Sequence, residues 1–322
     1  MRKQVEARVA EAIHEKVFPG CVIGAVRANG ACDIRAFGNS TYEQDSAKVK
    51  EDTMYDVASI TKSIPTASLA HLFIHERKFL LADRVRKYLP ELKNDHDATI
   101  EDLLRYRVLG SQMSVLAGKT PEEITAYVFE QSFDGPPGVS RYTNLPAFIL
   151  GLIIERVGGK TLDVLAQDRF FEPLRMNRTT FFPKDLGQVA PTETRVQGIV
   201  HDESARVFAK MGRAVGHAGL FSSVPDLLEF LEALLKGEYS PVVEGAQKGL
   251  GWQLNDPNFM GKYAGPHAFG KTGFTGTSIV CDRECGLAFV ILSNRTYPKR
   301  PPDDNAIFAF RRDIADIILK NA

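Results

Sequence analysis

The apolar residues near the start of the chain follow a helical period and then a strand period. Val5, Val9 and Ala12 fall on one face of a helix within residues 1–18, and Pro19-Gly20 ends that pattern. Two apolar runs follow, residues 21–26 and 31–37, and an Asn-Gly pair separates them. Apolar runs joined by Asn-Gly are typical of a β-hairpin.

The middle of the chain is helical in pattern, and strand-like runs return after about residue 215. Helical spacing recurs from residue 63 to about 210, and a last amphipathic helix is predicted over residues 304–319. The other predicted elements are helices at 67–78, from 100, at 121–131, 146–157 and 226–235, and strands at 249–254, 267–270, 277–281 and 287–293.

Strands at both chain ends, with helices between them, predict an α/β (α+β) fold. We expect one antiparallel sheet built from both ends and flanked by the N- and C-terminal helices, with a large, mainly helical insertion. We assign residues 1–62 and 213–322 to the sheet domain and residues 63–212 to the helical domain. Because insertions of this size create clefts at the junction, we expect the active site there.

Composition and charge narrow the range of partners. The 322 residues are 44% hydrophobic and 25% charged, with 40 basic and 40 acidic side chains. This balance gives no reason to expect a nucleic-acid partner, and no apolar run is long enough to predict a membrane helix. Residues 1–18 mix charges with apolar residues and lack the apolar core of a secretory signal, so we expect a cytoplasmic protein. Nothing in the sequence predicts its oligomeric state.

Ser59 and Lys62 form the first candidate catalytic pair. If a helix begins near Ser59, residues three apart share a face, and the ammonium group lies beside the hydroxyl. A serine hydroxyl needs a nearby base to become a nucleophile, and a lysine in a dry cleft can supply one. On their own, the two residues form a weak pattern, for which helix capping and a solvated lysine are the favoured interpretation.

Tyr142 and Asn144 form a second candidate group, in a loop just before a predicted helix. A tyrosine close to lysines can have a lowered pKa and act as a general base. The amide of Asn144 could hold an acyl carbonyl or orient a lysine. The alternative for Tyr142 is a buried structural role.

Lys271, Thr272 and Gly273, followed by Phe274, form the third group, on a predicted strand. The lysine and threonine could hold a substrate carboxylate, and the glycine lets the strand backbone approach a ligand. Alone, this run could equally be the end of a strand. Each of the three patterns occurs once, and their conjunction is more specific than any one of them.

In this order and setting, the three groups resemble the motifs of the serine β-lactamase and penicillin-binding-protein superfamily. The tyrosine-containing motif resembles its class C β-lactamase-like branch, which includes esterases, DD-peptidases and transacylases. Residues 55–62, 80–90, 216–223 and 249–252 add to the resemblance, which spans roughly residues 20–300. It implies a β-lactamase/transpeptidase-like fold.

The resemblance also implies a mechanism. Ser59 would attack an acyl carbonyl, while Lys62 and Tyr142 move the proton and Lys271 supports the tyrosine. The backbone N–H groups of Ser59 and Phe274 match the family's oxyanion hole. No metal ion or organic cofactor is required.

Two departures from the family pattern favour an esterase-like enzyme. Residues 105–111 read Arg-Tyr-Arg-Val-Leu-Gly-Ser, where many members carry His-Thr-Ser-Gly. Phe274 stands where many β-lactamases have a small hydroxyl residue. We therefore expect a serine hydrolase that acts on a small ester or amide. The alternatives are a β-lactamase or DD-peptidase, a transacylase and a non-catalytic sensor domain.

The remaining candidates for a role at the site, or in a metal site, are histidines and their neighbours. His217 is expected to stand behind the catalytic side chains, whereas residues 201–203 are expected to form a solvated turn. His71 and His75 have the spacing of a metal pair but lie in an amphipathic stretch, which favours core-edge histidines. We therefore expect no metal site. The expected partner is a small ester, amide or β-lactam-like molecule, with no nucleic acid or membrane.

Overall fold

A six-stranded antiparallel sheet forms the centre of the computed structural model, which describes residues 1–116 and 118–321. The strand order is β2-β1-β8-β7-β6-β5, and β3 pairs with β4 in a separate two-stranded sheet. The strands are β1 (Gly20–Arg27), β2 (Cys32–Gly38), β3 (Tyr55–Asp56), β4 (Phe221–Ser222), β5 (Gln253–Leu254), β6 (Phe269–Gly273), β7 (Thr277–Asp282) and β8 (Leu287–Ser293).

Along the chain, helices occur before the first strand, between the strands and after the last strand. In chain order they are α1 (Arg2–His14), α2 (Ser68–His75), α3 (Ile100–Leu104), α4 (Pro121–Gln131), α5 (Leu145–Gly158), α6 (Leu162–Ala166), α7 (Glu203–Lys210), α8 (Val224–Lys236), α9 (Ser240–Ala246), α10 (Pro257–Met260) and α11 (Asn305–Lys320). Shorter 3₁₀ turns occupy Ala58–Lys62, Val85–Lys87, Met113–Leu116 and Leu186–Gln188, and wide helical turns occupy Ser63–Ala67 and Gln167–Phe171.

Strands from both chain ends are hydrogen-bonded side by side. Ile23 of β1 lies opposite Arg35 of β2 on one side and Ile291 of β8 on the other. The predicted hairpin and the predicted sheet are thereby confirmed. The division into two domains at residues 62 and 212 stays a prediction.

Alternate residues of the sheet face two separate cores. Ile23 and Ile291 pack with Val9 of α1 and Ile314 of α11, whereas Val22 belongs to the larger core beneath α8. This follows from the two-residue period of a strand. Helices therefore cover the sheet on both faces.

The segment after Ser59 differs from the regular helix expected there. Residues 58–62 form a 3₁₀ turn, and a wide turn follows before α2 begins at Ser68. Ile64 is extended (φ −118°, ψ 110°), because a residue before proline is disfavoured in the helical region. Helix α2 itself ends at His75, so it is shorter at its C-terminal end than the helix predicted over 67–78.

The predicted strand over 249–254 is also shorter, covering only Gln253–Leu254. Gly249 and Gly251 have φ of +69° and +75°, a left-handed conformation that does not continue a strand. Over residues 1–116 and 118–321, no helix is both long and apolar enough to cross a bilayer. The cytoplasmic location stays a prediction.

Candidate active site

Ser59 follows a strained backbone turn. Ala58 has φ of +54°, in a region that non-glycine residues seldom occupy. The buried Asp56 carboxylate fixes the turn by accepting the N–H groups of Ala58 at 2.8 Å and His201 at 2.7 Å. The side chain of Ser59 is thereby held at the wall of a large cavity.

Lys62 contacts the serine through its ammonium group. Its Nζ donates to Oγ of Ser59 at 2.9 Å and to the carbonyl oxygen of His217 at 2.7 Å. Only 1% of Lys62 is exposed to solvent, so the ammonium group has little access to bulk water. The predicted pairing of Ser59 with Lys62 is present in the structure.

Tyr142 lies next to this pair, between two lysines. The Nζ atoms of Lys62 and Lys271 are 5.2 and 4.6 Å from the centre of its ring. Desolvation of the phenol works to raise the pKa of Tyr142, although the residue as a whole is half exposed, but the two positive charges outweigh it and lower the pKa. A phenol so placed is suited to accept a proton.

Lys271 is buried in strand β6. Burial, reinforced by the charge of Lys62, lowers the pKa of Lys271 to about 8 even though Tyr142 opposes the shift. Its Nζ also donates to the hydroxyl of Tyr106 at 3.5 Å and lies 4.8 Å from the centre of that ring. Burial, with a smaller contribution from Tyr142, raises the pKa of Tyr106 well above its usual value, so this phenol stays protonated.

Thr272, Gly273 and Phe274 continue the same cavity wall. A Cβ atom at residue 273 would lie 2.1 Å from Oγ1 of Thr277 and 2.3 Å from the carbonyl oxygen of Val57, so only glycine fits. The Phe274 ring is 42% exposed and stacks on His201 with centroids 5.6 Å apart. An apolar surface therefore lies at the edge of the cavity.

The two predicted oxyanion donors differ in their surroundings. The Ser59 N–H donates to the carbonyl oxygen of Val57 at 2.7 Å, whereas the Phe274 N–H has no backbone acceptor within the described residues. A substrate oxygen could accept directly from the Phe274 N–H. The Ser59 N–H would have to be shared between the substrate oxygen and Val57, or its bond to Val57 would have to break. The oxyanion role of both groups stays a prediction.

Asn144 and His217 are joined by Asp202. Nδ2 of Asn144 donates to one carboxylate oxygen at 2.9 Å, and Nε2 of the buried His217 lies 3.3 Å from the other. Asn144 is not among the residues that line the cavity, so its contact with substrate stays a prediction. His217 does stand behind Lys62, which it contacts through its carbonyl oxygen.

The expectation of a solvated turn at 201–203 is wrong. His201 is buried, and its Nε2 lies 2.7 Å from Glu193, while Asp202 caps helix α7 by accepting the Ala205 N–H. Burial opposes ionisation of Asp202, but His217 and the hydrogen bonds to the carboxylate hold its pKa far below the usual range. A helix-capping aspartate before a short helix was the available sequence signal.

The cavity has a volume of about 560 Å³ and is strongly basic. Its charged lining comprises five basic residues and one acidic residue: Arg105, Arg107, Lys271, Arg295, Arg311 and Asp304. Arg311 donates to the carbonyl oxygens of Gly273 and Thr277 at 2.8 Å each, and Arg295 donates to that of Phe274 at 2.7 Å. These arginines brace the β6–β7 turn, and no motif in the sequence indicated them.

Within residues 1–116 and 118–321, no group of three or more His, Cys, Asp or Glu side chains is arranged to hold a metal ion. His71 is buried, whereas His75 points to solvent on the same helix. Ser59, Lys62, Tyr142 and Lys271 are the side chains at this cavity that are suited to acyl-transfer chemistry.

Comparison with known proteins identifies relatives over almost the whole chain. The family model described as Beta-lactamase matches residues 5–312. An N-acetylmuramyl-L-alanine amidase of Bacillus subtilis (strain 168) is 30% identical, over 89% of this chain and 80% of the relative. A protein of Escherichia coli (strain K12), provisionally named a D-alanyl-D-alanine carboxypeptidase, is 29% identical over 84% of this chain and 76% of its own.

Solved structures share the fold at lower sequence identity. EstCE1, described as a hydrolase with promiscuous acyltransferase activity, superposes with a TM-score of 0.79 at 20% identity. The match covers 99% of this chain and 98% of that one. The arrangement of sheet and helices is therefore shared with that hydrolase.

Proposed function

The chain belongs to the beta-lactamase family, and we propose that it is an esterase-like member that cleaves a small ester or amide through an acyl-enzyme on Ser59. At the coarser level it is a serine hydrolase of the β-lactamase and penicillin-binding-protein type. The observation that carries the proposal is the 2.9 Å hydrogen bond from Lys62 to Oγ of Ser59, next to a tyrosine held between two lysines.

In the acylation step, Oγ of Ser59 attacks the carbonyl carbon of the substrate. Tyr142, whose pKa is lowered by the neighbouring ammonium groups, takes the serine proton in its anionic form, with Lys62 sharing it. The proton then passes to the departing alcohol or amine as its bond to the carbonyl carbon breaks. Each oxyanion-hole donor contributes about 3 kcal/mol to such a step.

In the deacylation step, a water molecule takes the place of the departed group. Tyr142 accepts a proton from the water as its oxygen attacks the acyl carbon, and the proton returns to Oγ of Ser59 when the ester bond breaks. An alcohol or amine in place of the water would make the enzyme a transacylase with the same residues. Product analysis with added acceptors separates these two outcomes.

The exposed ring of Phe274 favours an ester or amide with an apolar acyl group. Its aromatic ring lies in the cavity wall next to strand β6. A β-lactam bound close to that strand would have to share this space with the ring. A hydrolase with little turnover of β-lactams is therefore the form of the activity that we propose.

A DD-peptidase is the second candidate. The buried Lys271 and adjacent Thr272 could hold the terminal carboxylate of a peptide, and relatives are named for peptidoglycan-type substrates. Release of D-alanine from a D-alanyl-D-alanine peptide, at a rate exceeding ester hydrolysis, would favour this candidate.

The test uses p-nitrophenyl butyrate with wild-type protein and Ser59→Ala. We expect hydrolysis by the wild type, a mass increase of one butyryl group on quenching, and a loss of about 10³-fold or more in Ser59→Ala. Ser114→Ala, an exposed serine outside the cavity, is the matched control. Normal turnover by Ser59→Ala would refute the proposal.

A further inference from the structure

A second cavity of about 500 Å³ adjoins the first, and the two share Arg107 and Ser140 in their walls. Its wall is formed where two loop segments run side by side. The N–H of Gly138 donates to the carbonyl oxygen of Arg107 at 3.0 Å, and the N–H of Arg141 donates to that of Tyr106 at 2.8 Å. The second cavity thus lies next to the cavity that contains Ser59.

The second cavity carries guanidinium groups that have few partners. Arg107 is 3.8 Å from Asp102, a long ion-pair distance, and within the described residues Arg141 has no carboxylate within 4.0 Å. By contrast, Arg105 donates at 2.7 Å to Glu101 and also to the carbonyl oxygen of Lys248. Arg107 and Arg141 therefore keep N–H groups available for a ligand.

The remaining lining specifies more of the ligand. Among the described residues that line it, Asp134 is the single acidic one, against two arginines, and Leu109 and Val139 add apolar surface. The protein as a whole has no net charge, whereas basic residues outnumber acidic ones in the described lining of both cavities. A guanidinium group matches the two oxygens of a carboxylate.

We propose that the second cavity is a subsite for a carboxylate that the substrate carries at a distance from the scissile carbonyl, joined to it by an aliphatic spacer. The inference rests on the proposed hydrolase function. It concerns an anion separate from the one that Lys271 and Thr272 could hold. The preferred substrate is then an ester or amide with an acidic group at its far end.

Matched pairs of esters test this inference. The p-nitrophenyl monoesters of glutaric and suberic acid are compared with p-nitrophenyl butyrate and heptanoate, from which they differ by the terminal carboxylate. A pair with the anion on the leaving group, 4-carboxymethylphenyl and 4-methylphenyl butyrate, covers the other orientation. We expect at least one anionic ester to have a kcat/KM about fivefold or more above that of its neutral partner.

The variants Arg107→Gln and Arg141→Gln assign the preference to the subsite. Each should lower the ratio of anionic to neutral kcat/KM by about threefold to fivefold, and added salt should lower it in the wild type. Arg2→Gln removes a similar charge from an exposed arginine outside both cavities and should leave the ratio unchanged. Hydrolysis of the neutral ester by each variant reports that it is folded.

The possible outcomes distinguish failure of the subsite from failure of the hydrolase function. Ser59-dependent hydrolysis with no anionic preference, or with a preference that both arginine variants retain, overturns the subsite and leaves the proposed function intact. Failure of every ester to acylate Ser59 overturns the proposed function, and the subsite with it.

Discussion

The lowered pKa of Tyr142 results mainly from the charged side chains around it, Lys62 and Lys271. Desolvation of the phenol alone would raise the pKa of this tyrosine, so the net lowering requires the positive charges of Lys62 and Lys271. Lys271 is the better site for a test, because Lys62 also contacts the nucleophile directly. Removing the Lys271 charge should therefore change the pH dependence of catalysis.

We expect Lys271→Met to move the acid limb of the kcat/KM profile upward by about one pH unit, because the phenolate of Tyr142 loses a stabilising cation. In the wild type, Lys271 itself loses its proton above about pH 8, so the wild-type and Lys271→Met profiles should converge there. Profiles measured with p-nitrophenyl butyrate check both the acid limb and this convergence. Thr272→Val, an uncharged change in the same wall, should keep the acid limb in place; an unshifted limb in Lys271→Met would contradict the role given to this lysine.

Between elements, Asp202 joins three parts of the chain that surround Lys62. One carboxylate oxygen accepts from Asn144 at the start of α5, and the other accepts from Ala205 in α7 and lies near His217. The carbonyl oxygen of His217 in turn holds the Lys62 ammonium group. Asp202 thus positions Lys62 without touching the substrate cavity.

An asparagine at residue 202 has one acceptor oxygen and can serve Asn144 or the N–H of Ala205, not both. We therefore expect Asp202→Asn to lower kcat by about tenfold while changing KM little, because misplacement of Lys62 affects the chemical step. The double variant Asn144→Asp/Asp202→Asn restores the pair in reverse and should recover part of kcat. Circular dichroism checks folding, and a double variant no better than Asp202→Asn would argue against this positioning role.

At the scale of elements, sequence patterns predicted what local periodicity encodes. The hairpin of β1 and β2, helix α4 and strand β8 could be predicted because each has a clear period and clear breaks. The wide turn after Lys62 could not, because it depends on how Ile64 and Pro65 pack against the rest of the protein.

The same distinction applies to the candidate site. Ser59, Lys62, Tyr142 and Lys271 could be brought together from their motifs, and the structure places them around one cavity wall. The arginines of that wall could not be predicted, since nothing local in the sequence links Arg295 or Arg311 to residues 273–277. Tyr106 was also missed, because its hydroxyl meets Lys271 only through the tertiary fold.

For the whole molecule, a buried histidine makes stability depend on pH. His71 packs so closely on Gly245 of α9 that a Cβ atom there would lie 2.4 Å from its Nε2, and neither ring nitrogen has a hydrogen-bond partner among the described residues. Burial lowers the pKa of His71 to about 4. Between this value and the unfolded one, the unfolded chain binds more protons, so stability falls as the pH falls.

We expect the free energy of unfolding of the wild type to drop by about 2 kcal/mol more than that of His71→Leu between about pH 7 and about pH 4.5. Urea titrations at several pH values measure this difference. His75→Leu, an exposed histidine on the same helix, should keep the wild-type slope. Equal slopes for the wild type and His71→Leu would show that another group governs the loss of stability.

The pairing of β1 with β8 has a consequence for the order in which the protein is made. Ser59 and Lys62 leave the ribosome early, but β1 gains its central partner only when residues 287–293 have been synthesised. Lys271 and the arginines that brace its strand also come much later in the sequence than Ser59. A nascent chain that ends before residue 311 therefore carries Ser59 and Lys62 without all of the residues that complete their surroundings, and we expect it to be inactive until that part has been synthesised.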